Sequence, residues 1–376
     1  MKSHSLALAV TIAALAPQGA WAQAKAGGPS AGLAKLETVA RFDHQATGVA
    51  VAQDGRVFVN FPRWTEDTPI SVAEVKGGKL VAYPDEGWNS WRNAKKDQVT
   101  PGDHWVCVQS VVAHGGSLWV LDPAAPALEK IVRGGPKLVQ IDLATNKVVR
   151  TYPFSEQVAP EGTYLNDIRF SPDGEWGYLT DSGRGALLVI NLKSGEVRRV
   201  LDGVSSTQAE KGVLVKTDGK ELRRPDGVQP TFNADGIELS KDGGTLYWQA
   251  ISSRTLYSVP TEALRDPGLS SQDLEKRVKA EGTSVPADGL WMSAKGQFLF
   301  TSVEDNAVKL RLPDGTLTNV VQDAKLRWPD SMAEGPDGKI YVTASHIMDN
   351  RWFKPEAGVA TRTELFRFAP PPAQVP

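Results

Sequence analysis

Eight residues before each of six turn glycines (Gly55, Gly116, Gly174, Gly243, Gly296, Gly338) stand Thr47, Val108, Asn166, Asp235, Asp288 and Asp330. Four of the six are Asn or Asp, and Gln109 follows Val108 by one position. Equal register in a repeat means comparable position in space, so these side chains are expected at one mouth of a common channel. Carboxylates gathered there repel one another, by roughly 3 kcal/mol per pair at about 5 Å and an effective dielectric near 20. A hard divalent cation such as calcium would offset this with an all-oxygen donor set, and Asn166, Asp235 and Asp288 are the candidate ligands. An organic ammonium ion or protonation of one Asp would offset it too. Asp and Asn in this position also cap backbone amides, which would be a purely structural use. Strand alternation directs Asp167 to the face opposite Asn166.

The elements that place this ring are strands. Each copy reads as an apolar strand, a glycine turn and a second apolar strand, as in NDIRFSPDGEWGYLTD from Asn166 and DGIELSKDGGTLYWQA from Asp235. Asp-Gly closes four of the six turns, where φ > 0 costs glycine little. The turn glycines recur about every 57 residues, enough for four strands and their loops. The expected fold is all-β, a six-bladed β-propeller over residues 35–370. The outer hairpins are read at 135–154, 186–201 and 307–321, with 255–260 as a third strand. LETVARFD (36–43) and ELFRFAP (364–370) are expected to share one blade and close the ring. TEALRDPGLSSQDLEKRVKA (261–280) reads as two short helical turns in the loop between blades 4 and 5, with Ser271 as N-cap of the second.

Composition frames this single domain. The chain has 376 residues, 41% hydrophobic and 23% charged, with a formal net charge of −2. That balance supports a large core and gives no basic surface for nucleic acid. Lys2 and His4 precede an apolar run, Leu6–Leu15, too short to span a bilayer, and Ala20-Trp21-Ala22 fits a signal-peptidase site. Residues 1–22 are therefore expected to be an export signal. Residues 23–34 are expected to form a loose leader and 371–376 a Pro-rich tail. The mature protein is expected to be secreted or periplasmic, free of the membrane. The lone Cys107 excludes an internal disulfide and reads as a buried small hydrophobe.

LDPAAPA, GPKLVQIDLATNKVVRTYPF, YLNDIRFSPDGEWGYLTDSGRGALLVINL, FPRW, WNSW and SHIMDNRWF resemble the major royal jelly protein/yellow family in a bacterial-type form. The resemblance covers nearly the whole mature chain and implies a secreted six-bladed propeller. The family includes amine binders and proteins named for dopachrome-related chemistry. More distantly, the inner strands are similar to gluconolactonase/senescence-marker-type propellers, which hold a divalent metal with a Glu, two Asn and an Asp. Carried over, Asn166 matches one Asn, Asp235 stands at the other and Asp288 matches the Asp, while Thr47 stands where Glu belongs.

Two functions follow as expectations. The first is an exported protein binding a small cationic or aromatic molecule at the channel mouth through Thr47, Gln109, Asn166, Asp235, Asp288, Asp330 and His346. The second is a divalent-metal-dependent, lactonase-like hydrolase or isomerase with Asp235 or Asp288 as base. His346 and Arg351 follow the last inner hairpin, where a loop folding over the mouth would carry them. Trp64, Trp88, Trp91 and Trp105 are candidates for an aromatic wall around an organic cation. Trp248 and Trp291 are expected in the core. No P-loop, zincin helix or nucleophile elbow is present.

Overall fold

Apolar alternation broken by tight glycine turns yields six antiparallel four-stranded sheets in the computed structural model, which describes residues 33–372. The export signal read at 1–22 and the leader up to residue 32 lie outside the described residues. The inner strands are Val49–Val51, Ser110–His114, Leu165–Phe170, Ala234–Leu239, Ala287–Met292 and Pro329–Glu334. Each touches the inner strand of the next blade, and that of blade 6 touches blade 1, so the ring is closed. The fold is the six-bladed β-propeller expected from the repeat.

Closure uses both ends of the described chain. Glu37–Phe42 pairs antiparallel with Thr363–Phe368, which pairs with Ile340–Ala344. The first strand of the described residues is thus the outermost strand of blade 6, so the two ends of the ring are tied together by backbone pairing.

Apolar side chains collect between neighbouring blades. Phe58, Leu118 and Val120 pack between blades 1 and 2, and Leu187, Ile237 and Trp248 between blades 3 and 4. A further cluster lies beneath the loops of one face and contains Trp64, Cys107, Tyr164, Val215, Leu222, Trp328 and Ile347. The connection 201–233 contributes Val215 and Leu222 to it. This face, opposite the glycine hairpins, carries the polar ring.

The two short helices differ from expectation in place. Thr261–Arg265 and Ser271–Glu275 join the third and fourth strands of blade 4, not blades 4 and 5. Lys279–Thr283 returns to pair with Thr255–Pro260, although KAEGT lacks strand alternation. The cap is Ser270, whose hydroxyl accepts from Asp273 N at 3.1 Å, and Ser271 is already helical. Among the described residues, no helix is long and apolar enough to cross a membrane.

Candidate functional site

Four inner strands share one irregularity. Pairing with the second strand shifts between Leu165 and Ile168, Ala234 and Ile237, Ala287 and Leu290, and Pro329 and Met332. The residues in these bulges are Asn166-Asp167, Asp235-Gly236, Asp288-Gly289 and Asp330-Ser331. A bulge suspends the strict two-residue alternation of side chains. Asp167 does face away from Asn166: it accepts from Ser110 Oγ of blade 2 at 2.7 Å while Asn166 turns to Asp235 of blade 4, and it lines the channel at the opposite mouth beside Arg169.

Glycine in two of the bulges permits close approach of the next blade. A Cβ on Gly236 would lie 2.5 Å from Asp288 O, and one on Gly289 would lie 2.2 Å from Asp330 O. Second-strand threonines stitch the same region: Thr180 donates to Asp235 O and Thr343 to Thr47 O, both at 2.6 Å. Gly289→Ala is accordingly expected to destabilise by about 2 kcal/mol through overpacking, measured by urea unfolding. An unchanged midpoint would show that the blades do not depend on this contact.

Blade 2 is shorter by one residue. Its hairpin is a two-residue Gly115-Gly116 turn, and Ser110–His114 pairs with Ser117–Leu121 without a shift. Counting back therefore lands on Val108, which is core, and Gln109 takes the ring position. Thr47 does not line the site. It is fully buried, accepting from Asn60 Nδ2 at 2.9 Å and donating to Gln109 O at 3.3 Å.

Gln109, Asn166, Asp235, Asp288 and Asp330 converge on a cavity of about 190 Å³, with Trp64, Tyr164, Phe232, Ile347 and Trp352 among its walls. Asn166 Nδ2 donates to Asp235 Oδ2 at 2.8 Å and to Ser182 Oγ at 3.0 Å. Trp328 Nε1 donates to Asp288 Oδ2 at 2.6 Å, and Ser331 Oγ to Asp330 Oδ1 at 3.2 Å. The three carboxyls are buried, and none forms an ion pair among the described residues. Burial first, and then neighbouring carboxylates, push Asp235 and Asp330 well above the usual carboxylate range; Asp288 rises to about 6, chiefly by burial. Arg169, in the channel beyond them, is already engaged by Asp167 at 2.7 Å and Glu238 at 3.2 Å.

Residues 107–349 match the family described as major royal jelly protein. The chain belongs to the major royal jelly protein family. Among solved structures, it is similar to regucalcin from Agrobacterium tumefaciens, described as a calcium-binding protein (TM-score 0.51, 14% identity, 88% of this chain and 93% of that one). It is also similar to a gluconolactonase from Xanthomonas campestris (0.52, 12%, 90% and 90%) and a luciferin-regenerating enzyme (0.53, 10%, 90% and 95%). At such identities the likeness is one of fold. No curated protein matches the chain by sequence.

In this major royal jelly protein family member the aromatic wall differs from the one expected. Of Trp64, Trp88, Trp91 and Trp105, only Trp64 lines the cavity. Trp91 and Trp105 are fully buried, and Trp88 packs on Trp105 at 4.4 Å. Trp352 and Phe232 complete the wall instead, with Trp64 5.4 Å from Trp352 and 6.4 Å from Tyr164. Both come from loops distant in sequence. Trp248 is core, but Trp291 is half-buried at the opposite mouth, 5.8 Å from the Arg169 guanidinium.

His346 lies outside the lining. Its backbone is left-handed (φ 51°), and its ring pairs with Glu364 at 3.0 Å and Asp349 at 3.3 Å, leaving the next residue, Ile347, to face the cavity. Arg351 is exposed beside it. Cys107 is buried, and burial pushes its thiol up to about 12, which leaves no thiolate nucleophile at neutral pH.

The donor set does not fit a lactonase-type metal. The Glu position is Thr47, whose hydroxyl is committed to Asn60 and Gln109. Asn166 directs its amide N–H groups at Asp235 and Ser182. Among the described residues, no group of three or more His, Cys, Asp or Glu is placed to hold a metal ion.

Proposed function

We propose that this chain is an exported binding protein whose channel mouth takes a small organic cation with an aromatic body. One observation carries this reading: three buried carboxyls without a cationic partner lie beneath Trp64, Tyr164, Phe232 and Trp352. A bound ammonium would convert mutual repulsion into attraction, and the indole and phenyl faces attract the same charge. The pattern of residues 1–22 supports export, and amino-terminal sequencing of the mature protein beginning at Gln23 would test it. The divalent-metal lactonase reading draws on the fold shared with regucalcin and gluconolactonase, but Thr47 denies it a ligand. Calcium is expected to leave the melting temperature unchanged; a clear rise would favour the metal reading.

The binding test is calorimetric titration with 2-phenylethylamine, which stays protonated across the range used. Protonated carboxyls do not attract a cation, so affinity is expected to fall as pH drops through about 6, where Asp288 takes up its proton. The fall is about tenfold per pH unit for one linked proton. Absence of binding, or an affinity flat between pH 5 and 7.5, would remove the reading.

A further inference from the structure

The side of the ring away from the acids has a fixed polarity. An indole N–H only donates, so at 2.7 Å from Trp64 Nε1 the Tyr164 oxygen must accept. Burial holds Tyr164 in its protonated form. Its single proton is then donated to Gln109 Oε1 at 2.8 Å. The Gln109 carbonyl is thus occupied, and its amide NH₂ makes no hydrogen bond among the described residues. Gln109 is only 7% exposed and lines the cavity. Its backbone is pinned as well, with N donating to Leu121 O at 3.0 Å and O accepting from Thr47 Oγ1. The amide nitrogen keeps access to the cavity and has no protein acceptor, so it is placed to meet an acceptor that a ligand brings.

The neighbouring Asn166 presents the opposite polarity, since its amide nitrogen is spent on Asp235 and Ser182. The six inner strands touch in ring order, which places blade 2 across the channel from blade 5. Gln109 therefore stands opposite Asp288. From this arrangement we propose that Gln109 is the specificity determinant of the site and selects organic cations whose far end carries an acceptor oxygen. An ether, carbonyl or phenol oxygen would meet Gln109 Nε2 while the ammonium lies among Asp235, Asp288 and Asp330. This rests on the proposed binding of cations and adds the second pole of the ligand.

The test compares two amines of the same shape, 4-methoxyphenethylamine and 4-ethylphenethylamine, by calorimetry at pH 7.5. They differ by an ether oxygen in place of a methylene. The wild-type protein is expected to favour the methoxy compound about tenfold, the worth of one buried hydrogen bond. Gln109→Leu is expected to bring the ratio to about one. Gln109→Met, which keeps the length of the side chain and offers no N–H, is expected to do the same. A wild-type ratio near one with both amines bound, or a ratio unchanged in both variants, overturns the role of Gln109 alone. Failure of both amines to bind the wild-type protein overturns the cation reading on which it rests.

Discussion

With Asp288 replaced by Asn, 2-phenylethylamine affinity at pH 7.5 falls about a hundredfold while the protein melts at a higher temperature. The two changes have one cause. Asn keeps the shape and still offers Trp328 Nε1 an acceptor, so the hydrogen bond at 2.6 Å is retained. What is lost is a buried negative charge. Removing the charged partner of a buried cation costs about 3 kcal/mol, which is the hundredfold. The unliganded protein gains because Asp288 is held at about 6 in the folded state against 3.8 outside it. An acid with a raised folded pKa makes no difference below about pH 4, where both states are protonated. Its penalty grows as pH rises from 4 to 6 and is complete above, at about 3 kcal/mol for two units. Coupling to Asp235 and Asp330 spreads part of that over the neighbours, so a gain of about 1–3 kcal/mol is expected. Melting curves of the two proteins should coincide at pH 4 and separate by pH 7. A variant that melts lower at pH 7, or binds the amine as tightly as wild type, would sink the assignment of this site.

The fold was legible because it is periodic. A glycine turn between two apolar strands, repeated six times, leaves little choice but a closed ring, and the ends pair as the strand patterns at 36–43 and 364–370 indicate. The site was legible only in outline. Asn166, Asp235, Asp288 and Asp330 could be placed because their four blades share one bulge and hence one register. The bulge itself left no sign, since the two-residue period says nothing about where alternation is suspended; Asp167 does turn away from Asn166, toward Ser110 of blade 2, but the period gave no hint that it would line the channel beside Arg169. Blade 2 shifted by one because two glycines close its hairpin, which moved the ring position from Val108 to Gln109. The rest of the mouth comes from long connections that cross the face. Arg327 holds two of them together: its guanidinium binds Asp218 of the 201–233 segment and Asp349 beside Ile347. Such contacts between distant loops have no local signature, so Phe232 and Trp352 could not be foreseen as wall residues.

Asp122→Ala is expected to be the most damaging single change outside the cavity, at 3–5 kcal/mol or more. Asp122 ends the second strand of blade 2 and is fully buried. Its Oδ1 accepts from Cys107 N and Ala124 N, both at 2.9 Å, and its Oδ2 from Val106 N at 2.8 Å and Lys137 Nζ at 2.9 Å. Lys137 is as deeply buried and completes its bonds on Pro101 O and Gly135 O. Blade 3 repeats the device, with Asp181 taking Tyr164 N, Gly183 N and Arg184 N and pairing with Arg199. Truncating Asp122 strands an ammonium in the core, which alone costs about 3–5 kcal/mol, and orphans three buried N–H groups. Lys137 already has its pKa lowered by burial, and Asp122 opposes that. Without Asp122 the lysine sheds its proton on folding, so the variant's stability should rise with pH toward the unfolded lysine pKa. Asp122→Asn with Lys137→Met removes both charges and should recover part of the loss. Urea unfolding of the three proteins decides this: a loss below about 1 kcal/mol in Asp122→Ala would mean that the carboxylate does not hold these segments. The segments matter for binding because the connection through Val106 and Cys107 leads directly to Gln109, and the loop after Asp122 brings Ala125, Leu128 and Glu129 to the cavity. Loosening them releases the amide that faces Asp288, so the double variant should regain discrimination between the methoxy and ethyl amines along with its stability.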